Sequence, residues 1–177
     1  MTAFTTLWLA ACEPWTSSEA GGDTQATGGR GDRLNAAVKG LMRAGNGLAV
    51  FLYRRSNGRI GGTARGRTPV LLLTVPGRKT GTLHTTPVSY FEDEGGYVVT
   101  GTAGGTKQDP QWFRNLRAAS RAHVELGPRH LDVEVHVSSG AERDRLWREV
   151  VLARAPSFAA YEEKSGRVIP VAVLTPV

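Results

Sequence analysis

Residues Val70–Tyr90 read VLLLTVPGRKTGTLHTTPVSY, in which two cations sit in a glycine-bracketed turn between two apolar runs. A proline–glycine pair ends the first run, and both runs have the composition of strands. The pattern predicts a hairpin with Arg78, Lys79 and Thr80 at its tip. There, backbone N–H groups, two positive charges and a hydroxyl can bind an anion. The alternative is an exposed basic turn that binds nothing.

A second segment, Gly101–Leu116, reads GTAGGTKQDPQWFRNL and begins where another apolar run ends. Its glycines leave the backbone bare enough for a flat ligand to approach. Asp109 is a favourable N-cap and Pro110 suits the first helical position, so a helix is predicted from Pro110 to about Ala119. Helical spacing sets Trp112, Phe113 and Leu116 on one face and Arg114, Asn115 and Arg117 on the other. Trp112 can then pack in the core or form the wall of a cofactor site.

The rest of the chain predicts further short strands and helices. The expected strands are Val70–Val75, Leu83–Phe91, Tyr97–Thr100, His123–Leu126, His130–Ser138 and Arg167–Leu174. Pro170 suggests that the last strand lies at an edge or contains a bulge. A capping box at Ser139–Glu142 predicts a helix. The stripe it is expected to bury is Leu146, Trp147, Val150 and Val151. Six short strands with helices inserted between them favour a small barrel over a doubly wound sheet.

Length and composition are those of one compact domain. The chain has 177 residues, of which 40% are hydrophobic, enough to form a real core. We expect that domain at residues 33–177, after a Gly-, Ser- and Thr-containing tail at 1–32 that should be disordered, loosely packed or leader-like. The net charge of +6 favours an anionic partner: a phosphorylated cofactor, an acidic lipid surface or nucleic acid. The single cysteine, Cys12, excludes an intrachain disulfide and a thiolate metal cluster.

Features near the N-terminus bear on localisation. LAAC at Leu9–Cys12 resembles a lipobox, but the leader has no Lys or Arg and its apolar run is short. This favours an unstructured tail or a mis-set start codon over lipidation. Arg33–Arg55 is helix-like and basic, and Gly45-Asn46-Gly47 is expected to divide it in two. Such helices can pack as a lid across the barrel or rest on an anionic membrane. No segment has the apolar length that spans a bilayer, so we expect a cytoplasmic protein that can bind peripherally to the inner membrane face.

Several common chemistries lack their signatures. The sequence contains no P-loop and no G-x-S-x-G nucleophile elbow. Four polar residues recur with period two on one expected strand: His130, Asp132, Glu134 and His136. Extended side chains at this spacing diverge, so a solvated face and no metal site is expected. The sequence also has no aromatic-interleaved basic stripe or recognition helix, so no nucleic-acid partner is expected. The absence of an acid–base pair fits an enzyme whose cofactor carries the chemistry.

Three motifs occur in a fixed order: PGRKTG, the proline of TTPVSY, and GGxxxxPxWxxNL at Gly104–Leu116. Together they resemble the deazaflavin-dependent nitroreductase family of actinobacteria, over roughly residues 34–177. The resemblance implies an α+β fold, a split β-barrel of the FMN-binding type with about six mainly antiparallel strands and helices packed around it. It also implies the coenzyme F420, an 8-hydroxy-5-deazaflavin, with FMN as the alternative in the same fold.

The resemblance further implies a set of coenzyme contacts. Arg78, Lys79 and Thr80 would hold the phosphate and acidic tail, and His84, Thr85, Thr86, Pro87, Val88 and Ser89 would follow the ribityl chain. Thr100, Gly101, Thr102 and Ala103, with Gln111, Trp112, Phe113, Arg114 and Asn115, would surround the ring and linker. His84 replaces an arginine found in many relatives, which weakens the interaction with the tail or makes it pH-dependent.

The expected acceptor pocket differs from that of the nitroimidazole-activating member of the family. Ala155, Phe158 and Tyr161 stand where that member has tyrosines, so Tyr161 provides the one hydroxyl expected to act in catalysis. We therefore expect hydride transfer from reduced F420 to an apolar acceptor, above all a quinone, with nitroaromatics as weaker substrates. The alternatives are an FMN-binding oxidoreductase and a non-catalytic basic module that binds anionic lipid or nucleic acid.

Overall fold

The computed structural model describes residues 45–64 and 67–177. The strands are β1 Val70–Pro76, β2 Leu83–Asp93, β3 Gly96–Thr100, β4 Arg121–Leu126, β5 Arg129–Val137 and β6 Val171–Pro176. Every pairing is antiparallel, and the six strands close a barrel in the order β1-β2-β3-β6-β5-β4. The predicted barrel of six antiparallel strands is confirmed.

The apolar run that forms β1 is buried on both of its faces. Leu71, Leu73 and Val75 point into the barrel core, where they meet side chains of the other strands. Val70 and Leu72 point outward and are covered by a helix. A strand buried on both sides shows a continuous apolar run instead of an alternating one, and this explains the sequence VLLLTV.

The long strand β2 changes partners along its length. Residues 83–89 pair with β1, whereas residues 90–93 pair with β3. Pro87 lies opposite Leu72 in the first half, where β2 has a hydrogen-bonded neighbour on one side only. A proline is tolerated in such an open-sided stretch because the missing N–H interrupts no second ladder.

Within the described residues, four helices pack around the barrel. They are α1 at 45–55, α2 Gln111–Leu116, α3 Gly140–Arg145 with a π-helical continuation Leu146–Leu152, and α4 Ala159–Ser165. Short 3₁₀ turns occur at Ala103–Gly105 and Pro156–Phe158. None of the helices in the described part of the chain is long and apolar enough to cross a membrane.

In the described residues, helix α1 includes Gly45, Asn46 and Gly47, all of which are helical. The expected division of the helix pair at these residues involves the segment before residue 45, which lies outside the described residues. Instead of forming a lid across the barrel, α1 lies on the outer wall, because Val50 and Tyr53 pack on the outward side chains of β1. The predicted tail at 1–32, the lipobox at Leu9–Cys12 and the first part of the predicted helix pair lie outside the described residues.

Several predicted boundaries and caps shift. Helix α2 runs from Gln111 to Leu116, shorter than expected, and the Asp109 side chain forms ion pairs instead of capping it. Ser139 does precede α3, but the structure gives it no side-chain capping bond, and Glu142 contacts His136 at 2.9 Å. The predicted buried stripe of Leu146, Trp147, Val150 and Val151 is confirmed.

The final strand begins later than expected, at Val171, and it is not an edge. It pairs with β3 on one side and with β5 on the other. Pro170 lies just before the strand, and its carbonyl accepts a hydrogen bond from the Gly101 N–H at 2.9 Å. Proline is therefore accommodated at the entrance to an interior strand, where the position of its carbonyl ties the strand to the segment after β3.

The polar face of β5 makes separate cross-strand pairs. His123 Nδ1 lies 2.8 Å from Asp132 Oδ1, and Arg121 lies 3.8 Å from Glu134. The side chains of His130, Asp132, Glu134 and His136 are exposed, as the alternating pattern predicts. In the described ranges, no three His, Cys, Asp or Glu side chains come together in an arrangement that could hold a metal ion.

Candidate coenzyme-binding site

The turn between β1 and β2 has a fixed backbone and exposed side chains. The Gly77 N–H donates to the Thr82 carbonyl at 2.8 Å, and the Gly77 carbonyl accepts from the N–H groups of Thr80 and Gly81 at 3.1 and 2.7 Å. Gly81 has a φ of +70°, which a glycine adopts without strain. Because the backbone is held by its own bonds, the exposed side chains of Arg78, Lys79 and Thr80 present two charges and a hydroxyl from one rigid turn.

His84 lies against this turn. A Cβ placed on Gly77 would be 3.0 Å from Thr80 Oγ1 and 3.1 Å from His84 Nε2, so the imidazole occupies the space that a side chain at residue 77 would need. Farther along β2, Thr85 Oγ1 lies 2.8 Å from Thr74 Oγ1, and the Thr85 carbonyl accepts from Asn46 Nδ2 at 2.9 Å. The structure thus places the predicted His84 next to the basic turn, while Thr85 is engaged with its neighbours in the protein.

Asn115 connects the turn to α2. Its Oδ1 accepts hydrogen bonds from the Arg78 N–H at 3.4 Å, from Arg78 Nη1 at 3.3 Å and from Gln111 Nε2 at 3.3 Å. The residue is only 3% exposed. Helical spacing predicts one face for Asn115, Arg114 and Arg117. Asn115 is nevertheless buried while Arg117 is exposed, because tertiary contact with the turn brings Asn115 into the interior. Its carbonyl orients Arg78.

The other side chains of α2 divide between core and surface. Phe113 and Leu116 are fully buried, and Trp112 is half-buried against the same core, with its ring 5.3 Å from that of Phe113. Arg114 Nη2 donates to Gln111 Oε1 at 3.0 Å, whereas its Nε is buried and has no hydrogen-bond partner among the described residues. A buried guanidinium N–H without a partner is the kind of group that a ligand oxygen can satisfy.

Two of the three glycines after β3, Gly101 and Gly105, lie in close contact with the protein, which differs from the prediction that they leave the backbone bare. A Cβ on Gly101 would lie 2.9 Å from Pro170 and 3.1 Å from Phe113, and one on Gly105 would lie 2.8 Å from Lys164. Gly101 and Gly105 are therefore needed for close contact within the fold. Thr102 and Ala103, between them, remain half-exposed.

One arginine that the sequence did not single out holds this loop. Arg167 donates to the carbonyls of Thr106, Gly101 and Gln108 at 2.9, 2.8 and 3.3 Å, and to Asp109 Oδ1 at 2.7 Å. Its burial lowers the pKa of the guanidinium, and the Asp109 carboxylate acts in the opposite direction. Residues 109 and 167 are far apart in sequence, so no local sequence pattern predicts this ion pair.

Phe158 and Tyr161, which were predicted to form one wall of the acceptor pocket, lie on the outer side of the barrel, next to the same loop. The rings of Phe158 and Tyr161 are 5.3 Å apart, and that of Phe158 is 5.6 Å from Phe91. Lys164 Nζ, on the same helix as Tyr161, donates to the Gly104 carbonyl at 3.2 Å. Helix α4 thus carries an aromatic pair beside the loop that follows β3.

The structure therefore brings the predicted contact residues together in two groups. The first comprises the basic turn, His84 and the polar side chains of α2. The second comprises the loop after β3 and the aromatic pair of α4. Besides Asn115, three predicted contact residues are buried with relative exposures of 5% or less: Val88, Thr100 and Phe113. Sequence reasoning missed Arg167 and Lys164 and gave Asp109 a capping role, because the partners of all three are distant in the chain.

The six-stranded antiparallel barrel, with a basic turn next to α2, agrees with the split-barrel oxidoreductase fold that the motif resemblance implies. A family model described as F420H(2)-dependent quinone reductase matches residues 47–176. This chain belongs to the F420H(2)-dependent quinone reductase family. It is an oxidoreductase of a family whose coenzyme is F420, as the motif resemblance implies, and the family is named for quinone reduction.

Similar proteins agree with this assignment. An F420H(2)-dependent quinone reductase of Mycobacterium tuberculosis (strain ATCC 25618 / H37Rv) is 35% identical over 126 residues, covering 70% of this chain and 85% of that protein. A solved structure described as an F420-H2 dependent reductase (FDR-A) matches with a TM-score of 0.54 and 30% identity, covering 60% of this chain and 93% of that chain. A chain described as a domain-swapped dimer matches with the same TM-score and identity, over 60% of this chain and 79% of that chain.

Proposed function

We propose that this protein transfers hydride from reduced F420 to a quinone at the surface formed by the basic turn, α2, the loop after β3 and α4. The observation that carries this proposal is the coupling of the turn to α2 through buried Asn115. These hydrogen bonds orient one cationic side chain, Arg78, while a second, Lys79, is exposed beside it. The arrangement suits a coenzyme whose anionic tail binds at the turn while its ring lies at a fixed distance from it.

The residues present fit the coenzyme chemically. Its phosphate and acidic tail are polyanionic, and the turn offers two cationic side chains, a hydroxyl and backbone N–H groups. In the part of the chain that the structure describes, the Lys79 ammonium has no hydrogen-bond or ion-pair partner, and Arg114 Nε is buried without one. When bound, reduced F420 supplies the hydride. The protein's own residues anchor the tail, orient the ring and exclude water from it.

The aromatic pair of α4 favours an apolar acceptor. Phe158 and Tyr161 pack edge to face and adjoin an apolar cluster that includes Phe91 and Trp147. A flat quinone can stack against such a wall, whereas a nitro group gains little from it, because developing negative charge needs hydrogen-bond donors. We propose that Tyr161 provides the hydroxyl of this wall.

Substrate choice tests the wall directly. We expect reduced F420 to be oxidised by menadione at least ~10-fold more efficiently, in kcat/KM, than by a bicyclic nitroimidazole, a margin of about 1.4 kcal/mol. Phe158→Tyr should narrow the ratio by adding a donor. Phe51→Tyr, at an exposed phenylalanine of α1, is the matched control and should leave the ratio unchanged. Similar efficiencies with both substrates in the wild type would remove the aromatic pair from the acceptor site.

We also propose that α1 docks the enzyme on an anionic membrane, from which a lipid-soluble quinone would be taken. Its inward side chains, Val50 and Tyr53, are buried, whereas Leu48 and Phe51 are 48% and 61% exposed one turn apart. Arg55 and Arg59 are exposed close by in sequence. An amphipathic surface of apolar side chains flanked by cations is suited to a membrane interface.

Vesicle binding tests the proposal that α1 docks on an anionic membrane. In sedimentation with vesicles that contain phosphatidylglycerol, Phe51→Ser should weaken binding by at least about 5-fold, since it removes much of the apolar contact. Val177→Ser, at another exposed apolar residue, is the control and should bind as the wild type does. Binding should also weaken with salt. Equal partitioning of both variants, or binding to neutral vesicles alone, would contradict a docking role for α1.

A further inference from the structure

The loop from residue 101 to residue 109 has a backbone that is unfavourable on its own. Three consecutive residues have positive φ: Ala103 at +47°, Gly104 at +64° and Gly105 at +81°. An alanine in the left-handed region costs conformational free energy. A conformation of this kind persists where surrounding contacts determine it, so the loop must be held from outside.

Arg167 provides that support from the segment between α4 and β6. Its guanidinium reaches the beginning of the loop at the Gly101 carbonyl and the middle at the Thr106 carbonyl. It also reaches the end of the loop, at the Gln108 carbonyl and Asp109 Oδ1. The side chain is 15% exposed, so these bonds are largely shielded from water. One planar side chain therefore fixes both ends and the centre of the loop.

We propose that Arg167 is a positioning residue that holds the loop in the arrangement required for the coenzyme's ring, without touching the coenzyme. The inference rests on the proposed function, which places the ring beside this loop. Four of the five guanidinium N–H donors already have partners in the protein. Arg167 is thus already engaged, unlike Lys79 of the basic turn, which presents its charge to solvent.

The geometry also predicts that lysine cannot replace this residue. Lysine keeps the positive charge, but its donors radiate from one nitrogen and cannot span three carbonyls in a fixed plane. Long-range attraction between Arg167 and an anionic coenzyme would survive the change to lysine. A positioning role would be lost in Arg167→Lys. This variant, which keeps the charge, therefore distinguishes a positioning role from long-range attraction.

The experiment uses the full chain with Arg167→Lys and Arg167→Gln. Binding of oxidised F420 is titrated, and amide hydrogen exchange of residues 101–109 is measured without coenzyme. Both variants should bind F420 roughly 10-fold more weakly, because small displacements of a site cost this much or more. Exchange in the loop should rise in both. Arg148→Lys, at an exposed arginine of the π-helical turn, is the control and should change neither quantity.

A second variant distinguishes a positioning role of Arg167 from misfolding of the Arg167 variants. Asp109→Asn retains the shape of the side chain but removes the charge that Arg167 binds, so it should shift both readouts in the same direction by a smaller amount. Wild-type affinity in Arg167→Lys, or unchanged exchange in the loop, would overturn the positioning role. A loosened loop with unchanged affinity would overturn it as well. A wild type that does not bind F420 would instead overturn the proposed function.

Discussion

Lys79→Ala should raise the dissociation constant of F420 by roughly 10- to 150-fold, since a hydrogen bond to a charged group contributes about 1.5–3 kcal/mol. The turnover number at saturating coenzyme should stay within about twofold of the wild type. The reason is position: Lys79 is exposed at the tip of the turn, next to the arginine that Asn115 orients, whereas the proposed acceptor wall lies on α4. An interaction with the tail is present equally before and during hydride transfer, so its loss changes binding and not kcat.

Two measurements decide this prediction. Titration with oxidised F420 gives the dissociation constant, and steady-state kinetics with menadione give kcat and the coenzyme's KM. Arg148→Ala removes one exposed positive charge elsewhere and controls for the overall net charge of +6. A fall in kcat with an unchanged KM for the coenzyme would place the turn at the reacting ring and contradict the proposed orientation.

Local patterns in the sequence were sufficient for the barrel and for the basic turn. The alternation of apolar residues and the glycine and proline breaks between Val70 and Tyr90 predict the β1–β2 hairpin, which the structure confirms. The same reasoning places Arg78, Lys79 and Thr80 at the tip. These features depend on residues that are neighbours in the chain, and such neighbours are what periodicity and turn propensity describe.

Contacts between distant residues could not be predicted in this way. Helical spacing grouped Asn115 with Arg114 and Arg117 and did not indicate its burial, whereas contact with the Arg78 backbone and guanidinium, 37 residues away, holds its amide in the interior. Likewise, the glycines at 101 and 105 were assigned to a ligand, whereas they make room for Pro170, Phe113 and Lys164. A glycine permits close approach, but the sequence does not say which group approaches.

The attachment of α1 to the barrel depends on a buried carboxylate. Glu125 on β4 has a side chain only 3% exposed, and Arg54 Nε donates to its Oε2 at 2.9 Å. The Tyr53 hydroxyl contacts the Val70 and Glu125 carbonyls and accepts from the Gly127 N–H at 2.9 Å. The hydrogen bonds from Arg54 lower the pKa of Glu125, and burial acts in the opposite direction. Arg54 is therefore what allows a charged carboxylate to remain in this position.

Arg54→Gln should lower the free energy of unfolding by about 3 kcal/mol at pH 7, the low end for a broken buried pair because the Arg54 side chain is 52% exposed. In the wild type, the lowered pKa of Glu125 contributes stability above the pKa of an unfolded glutamate, about 4.3, and this contribution is lost as pH falls through the folded value. Without Arg54, burial dominates and the pKa of Glu125 rises, so the variant recovers stability as pH falls. The difference in the free energy of unfolding between variant and wild type then narrows.

Urea unfolding at pH 7 and 4.5 measures this difference, with Arg55→Gln as control. Adding Glu125→Gln should restore most of the loss at pH 7, since no buried charge remains. A gap that widens on acidification, or a double variant no more stable than Arg54→Gln, would show that the unpaired carboxylate is not the cause.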